Sequence, residues 1–296
     1  MKRILILGKQ SRLAVAIYVM LTRETDWKVY FDLDSLDSEK VTDTGQYYPI
    51  VYEKKDLRKV VMEYDPDYIV NCLSFDVPEI AEVDKKFAWD YNVGNIEAIS
   101  KAAMMTDSKL LMFSTDNIYS GINGPYGEDH LPEPVNYYGK TKLGSENHCI
   151  SNNVPFISVR LPEYYGGTGS NAFNIYYKLI NNIEQNLAVN CFTTPVYIDD
   201  AALAVLKIIL KDKFGFYNLG GPDYVSEYEY GVKLADVLGF EKESIKPYTY
   251  SNSKNECRKL IRGGLINIKS ETDLNMKFVN LHSGLSSVKF LENLKF

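Results

Sequence analysis

A chain of 296 residues with a hydrophobic share of 45% has apolar mass enough for one large domain or two interlocked ones. Its net charge of −6, without any Lys/Arg run, gives no general attraction for nucleic acid or an anionic membrane surface. No apolar run approaches the ~20 residues that span a bilayer. The cysteines (Cys72, Cys149, Cys191, Cys257) and histidines (His130, His148, His282) lack metal-site spacing, so no metal is expected and the thiols read as buried groups of a reducing compartment. A strand starting at Lys2 or Arg3 leaves no room for a signal peptide, and the expectation is a cytoplasmic protein.

Arg3-Ile-Leu-Ile-Leu-Gly8 reads as a buried strand closed by glycine, and Leu13 to Leu21 has helical apolar spacing. Strand, tight turn and helix form the first unit of a dinucleotide-binding fold, in which a pyrophosphate sits on the helix amino terminus. The turn Gly8-Lys-Gln-Ser11-Arg-Leu-Ala14 offers Gly8, Gln10, Ser11, Arg12 and Leu13 as cofactor-binding candidates. The next strand, Lys28 to Phe31, runs into Asp32-Leu-Asp34. An acidic residue about 20 positions past such a turn commonly takes the ribose hydroxyls, so Asp32 or Asp34 favours NADH. Arg12 could meet phosphate charge and favours NADPH, and both cofactors stay open.

Pro49 to Tyr52 reads as a short third strand, Asp56 to Tyr64 as an amphipathic helix, and Asp67 to Asn71 as a fourth strand. A long helix follows, carrying Phe87-Ala-Trp-Asp-Tyr-Asn-Val93. Leu110 to Phe113 is an unbroken apolar run ending in Ser114, Thr115 and Asp116. A strand buried in a parallel sheet looks like this when it delivers polar residues to the carboxyl edge, where open α/β sheets bind ligands. After a polar loop, Tyr138 and Lys142 are spaced i,i+4 and share one helical face. A lysine ammonium beside a phenol stabilises the phenolate and lowers its pKa, giving an acid/base suited to carbonyl reduction. Thr115 could hold the carbonyl oxygen against that phenol.

Three stretches carry a resemblance: Ser114-Thr-Asp-Asn-Ile-Tyr-Ser-Gly121, Pro125-Tyr-Gly-Glu-Asp129 and Pro134-Val-Asn-Tyr-Tyr-Gly-Lys-Thr-Lys-Leu-Gly-Ser-Glu146. Together they resemble the extended short-chain dehydrogenase/reductases, and more narrowly the dTDP-4-dehydrorhamnose reductase branch. The resemblance implies that Thr115, Tyr138 and Lys142 are catalytic, with Lys142 also holding the cofactor ribose. It places Asn71, Cys72 and Leu73 along the cofactor and gives Asn92 a bracing role. Ser74, Asn117, Glu163, Tyr165 and Arg262 are its substrate-binding candidates, with Tyr248 and Tyr250 as further nucleotide contacts.

Several positions depart from the branch. Its Gly-x-x-Gly-x-x-Gly turn keeps only Gly8; Ser11 puts a β-carbon near the pyrophosphate path, and Ala14 is a mild change. Leu73 stands where a small alanine is usual and narrows the groove. Glu163 replaces a tryptophan and Asn117 an aromatic residue, exchanging apolar faces for hydrogen-bonding groups, which points to a sugar other than 4-keto-rhamnose.

Pro155 to Arg160 reads as a sixth strand, Asn171 to Glu184 as a helix, Ala201 to Leu210 as a helix capped by Asp200, and Ser226-Glu-Tyr-Glu229 as a helix start. The expected fold is an α/β Rossmann-type doubly wound parallel sheet with a smaller carboxyl-terminal α/β substrate-binding lobe. Residues 1–160 form the dinucleotide-binding part, roughly 190–218 return to it, and 161–189 with 219–296 form the lobe. The implied activity is NAD(P)H-dependent reduction of the 4-keto group of a nucleotide-activated 4-keto-6-deoxysugar. A non-catalytic NADP- or sugar-nucleotide-binding protein of the same fold, like the regulatory subunit of methionine adenosyltransferase, is one alternative. An NAD-dependent sugar-nucleotide epimerase is another. The expected partner is a nucleotide sugar, with room for a homodimer and none for nucleic acid or membrane.

Overall fold

The first strand, β1 (Arg3–Leu7), shows why its sequence is apolar from Ile4 to Leu7. Successive side chains point to opposite faces. Ile4 and Ile6 enter one core while Leu5 and Leu7 enter another, so both faces of the sheet are covered. The computed structural model describes residues 1–9, 11–32, 52–167, 170–252 and 257–288. Gln10 and Asp34 lie outside the described residues, as does the strand expected from Pro49 to Tyr52 apart from Tyr52 itself.

The remaining strands of the central sheet are β2 (Lys28–Asp32), β3 (Tyr68–Asn71), β4 (Lys109–Thr115), β5 (Phe156–Leu161) and the strand Gly215–Asn218. They run in parallel in the order Gly215–Asn218, β5, β4, β3, β1, β2. The order reverses beside β1, which is where doubly wound sheets open a ligand crevice at the carboxyl ends of their strands. Helix α1 (Arg12–Glu24) and the helix Ile198–Leu210 cover one face. Helices α2 (Lys54–Tyr64), α4 (Lys85–Met105) and α5 (Tyr137–Ser151) cover the other. Short helix α3 (Pro78–Val83) precedes α4, and Asp84 between them accepts from the Phe87 amide at 3.0 Å as the α4 cap.

A third core gathers Tyr165, Ile175, Leu187, Tyr230 and Leu234. Around it lie the helices Asn171–Ile180 and Glu227–Leu238 and the parallel strand pair Gln185–Ala188 with Ile245–Tyr248. Ser226 and Glu229 form the capping box that starts the second of these helices. Two expected boundaries shift. The helix from Asn171 ends at Ile180, because Asn182 turns left-handed at φ 51° and Gln185 joins a strand. The helix expected from Ala201 begins at Ile198; Asp200 sits in its first turn and accepts from the Val279 amide at 2.8 Å, so it is not the cap. Among the described residues no helix is long and apolar enough to cross a membrane.

Candidate active site

Helix α5 is fixed to the end of β4 by side chains at its first turn. Asn136 caps the helix by accepting from the Gly139 amide at 2.8 Å, and its Nδ2 donates to Asn117 Oδ1 at 2.8 Å and to the Arg258 carbonyl at 3.0 Å. Asn117 in turn donates through its backbone and its Nδ2 to Thr115 Oγ1, both at 3.2 Å. Gly139 is needed here: a Cβ would lie 2.0 Å from the Asn117 carbonyl. The result is that Tyr138 and Thr115 stand on the wall of the same cavity.

One turn along, Lys142 Nζ donates to Ser74 Oγ at 3.1 Å. Burial pulls the Lys142 ammonium down to about 8, with Asp76 and Glu146 opposing that shift. Burial first, and then the Asp76 carboxylate, push the Tyr138 phenol above its ordinary value. Taking the phenol out of water is thus the largest influence on its titration. Asn92 braces the neighbouring backbone, accepting from the Phe75 amide at 2.8 Å and donating to its carbonyl at 3.0 Å and to Thr141 at 2.8 Å.

Ser74, Asp76, Thr115, Asn136, Tyr138 and Lys142 line a cavity of about 950 Å³. The sheet edge and its helices contribute Ser11, Arg12, Leu13, Cys72, Ser74, Asn117 and the Thr115–Tyr138–Lys142 set. The third-core region contributes Glu163, Asn171, Asn186 and Glu227, and the segment after it Arg258 and Lys259. Ser11 caps α1, its hydroxyl accepting from the Ala14 amide at 3.5 Å, and so opens the helix amino terminus onto the cavity. Gly8 holds the preceding turn at φ +93°, and a Cβ there would press on the Cys72 carbonyl carbon at 3.1 Å.

Other expected site residues lie elsewhere. Leu73 belongs to the core between the sheet and α4, and the Asn71 side chain accepts from its amide at 3.2 Å. Neither lines the cavity, so Leu73 does not narrow the groove. Cys72, Ser74 and Asp76 line the cavity while Leu73 and Phe75 point into the opposite core, which is the period of extended chain. Asp76, missed in the sequence, was legible in that alternation. The same logic buries Tyr165 in the third core and leaves Tyr164 on the cavity wall. Arg262 is exposed outside the cavity, because its backbone is held by Gly121 at 2.7 Å and Gly124 at 3.2 Å. Asp32 lies off the wall and accepts from the Tyr64 hydroxyl at 2.8 Å. Among the described residues no group of three His, Cys, Asp or Glu side chains is placed to hold a metal ion.

The fold is a doubly wound parallel sheet in which Tyr138 and Lys142, one helical turn apart, share a cavity wall with the strand-end Thr115. The RmlD substrate binding domain family matches residues 1–289, and the chain belongs to that family. It is 26% identical over 283 residues to methionine adenosyltransferase 2 subunit beta of Xenopus tropicalis, covering 89% of this chain and 83% of that protein. It is 24% identical over 251 residues to dTDP-4-dehydrorhamnose reductase of Aggregatibacter actinomycetemcomitans, covering 82% and 81%. In structure it is similar to dTDP-4-dehydrorhamnose reductase of Bacillus anthracis in complex with NADP. The TM-score is 0.85 at 20% identity, over 98% of this chain and 99% of that one.

Proposed function

We propose that the chain reduces the 4-keto group of a nucleotide-activated 4-keto-6-deoxysugar with NADPH or NADH. The observation that carries the reading is the Thr115–Tyr138–Lys142 set on the wall of one cavity with the capped amino terminus of α1. The residues present fit a dinucleotide: Gly8 lets the turn pack close against the Cys72 backbone, and Ser11, Arg12 and Leu13 on the cavity wall present a helix amino terminus suited to phosphate. When bound, the nicotinamide supplies a hydride to the carbonyl carbon. Thr115 and Tyr138 hold the carbonyl oxygen, and Tyr138 gives it the proton that completes the alcohol. Burial keeps the phenol protonated, the form a general acid requires. Lys142, held by Ser74 on the same wall, would take the ribose hydroxyls of the dinucleotide.

Likeness to a methionine adenosyltransferase subunit over 89% of the chain favours one other reading, a binding protein that keeps the constellation without turnover. The discriminating experiment follows cofactor absorbance while the purified chain is mixed with NADPH or NADH and a panel of nucleotide-linked 4-keto-6-deoxysugars. Oxidation that requires the sugar supports the reductase. Tight binding of cofactor with no oxidation across the panel supports the binding protein.

A further inference from the structure

Glu163 lines the cavity just beyond β5, and its Oε2 accepts from Asn171 Nδ2 at a long 3.4 Å. Its Oε1 is buried and has no hydrogen-bond partner. Buried acceptors are almost always satisfied, so an orphan on a cavity wall marks a place where something else supplies the donor. The terminal torsion of a glutamate is soft, and a small rotation presents either oxygen to the cavity.

The surroundings favour a donor there. The charged groups acting on Glu163 are Glu227, Asp116 and Lys259. Lys259 is already engaged, its Nζ 3.0 Å from Glu227 Oε1. Asp116 accepts from the Gly264 amide at 2.9 Å and from Asn117 Nδ2 at 3.2 Å. Three carboxyl groups thus share one ammonium, and a further acceptor brought to this wall would be repelled.

We infer that Glu163 determines specificity by accepting a hydrogen bond from a hydroxyl or amine on the sugar ring, so that the site selects nucleotide-linked hexoses bearing a donor at that position. The inference rests on the sugar-nucleotide reading of the cavity. It makes Glu163 a residue that binds the sugar, with no part in proton transfer to the ketone.

Calorimetric binding of dTDP, UDP, dTDP-glucose, UDP-glucose and dTDP-4-amino-4,6-dideoxyglucose to the wild-type chain, Glu163→Leu and Glu163→Gln tests it. The expected result, measured at pH 8.5 where the Glu163 carboxyl is ionised, is that at least one linked sugar binds wild type about tenfold tighter than its bare nucleotide, the gain of a hydrogen bond to a charged group. Glu163→Leu abolishes that gain and leaves bare-nucleotide affinity within about twofold. Glu163→Gln keeps the gain for a hydroxyl donor, since the amide oxygen still accepts, and loses it for an ammonium. A Glu163→Leu chain with the wild-type gain overturns the role of Glu163, as does a wild type that binds bare nucleotide and gains nothing from any sugar; both leave the nucleotide site standing. Failure of every probe to bind wild type overturns the sugar-nucleotide reading and this inference with it. Thermal unfolding of both variants guards against misfolding, and Glu163→Gln, close in shape to the native residue, keeps the test decisive if Glu163→Leu does not fold.

Discussion

Arg160 on β5 and Glu146 on α5 are joined by two parallel hydrogen bonds, Nε to Oε1 at 2.9 Å and Nη2 to Oε2 at 2.8 Å. Their side chains are only 3% and 1% exposed. Ser158 adds a donor to Oε1 at 2.8 Å, and Arg160 Nη1 donates to the Tyr119 hydroxyl at 2.8 Å. The pair ties the helix that carries Tyr138 and Lys142 to the central sheet. Removing one partner strands a buried charge, so Glu146→Leu should cost about 3–5 kcal/mol in urea unfolding. The double variant Glu146→Leu/Arg160→Met should recover part of that loss, because the pair itself is close to neutral against apolar groups of similar size.

Gly139→Ala tests the close approach that starts α5. Its Cβ would sit 2.0 Å from the Asn117 carbonyl, and neither backbone can yield without moving the helix start. A stability loss of about 1–3 kcal/mol is expected from the overpacking. A variant as stable as wild type, measured by the same unfolding, would show that the turn accommodates the methyl group.

The sheet was legible because its strands are apolar on both faces: Ile4 to Leu7 and Leu110 to Met112 are unbroken runs that only a doubly covered sheet explains. The Tyr138–Lys142 pair was legible because helical period alone puts both on one face. Leu73, Tyr165 and Arg262 were assigned to the site by their place in the chain, yet side-chain direction follows the pleat and the backbone pairing, which sends them away from it. Arg258 and Lys259 gave no local signal. Contacts to Asn136, 122 residues away, and to Glu227, 32 away, bring them to the cavity.

Glu163 gives a pH dependence of stability. Burial, as the largest cause, raises its carboxyl from 4.5 to about 7. A group whose folded pKa is raised contributes stability that is fully present below its unfolded pKa and is lost as pH rises through the folded value. The wild-type chain should therefore lose about 2–3 kcal/mol relative to Glu163→Gln as pH rises from 4.5 to about 7. Denaturant unfolding of both chains across that window measures it. Parallel pH profiles would mean the carboxyl is solvated in the folded protein.

Tyr138→Phe removes the proton donor and keeps the ring. Reduction of the sugar should fall by about 10²–10⁴-fold, while cofactor affinity stays near wild type. Undiminished turnover would assign the proton to another group, with Asp76 a cavity carboxyl whose charge acts on both Tyr138 and Lys142.

The central claim is that the cavity lined by Ser11, Arg12 and Lys142 takes a nicotinamide dinucleotide. Titration of the purified chain with NADPH and NADH, followed by nicotinamide fluorescence and energy transfer from its tryptophan and tyrosine residues, measures this directly. The account predicts a Kd in the micromolar range for at least one of them. No binding of either at millimolar concentration would contradict it, leaving Thr115, Tyr138 and Lys142 as inherited scaffold.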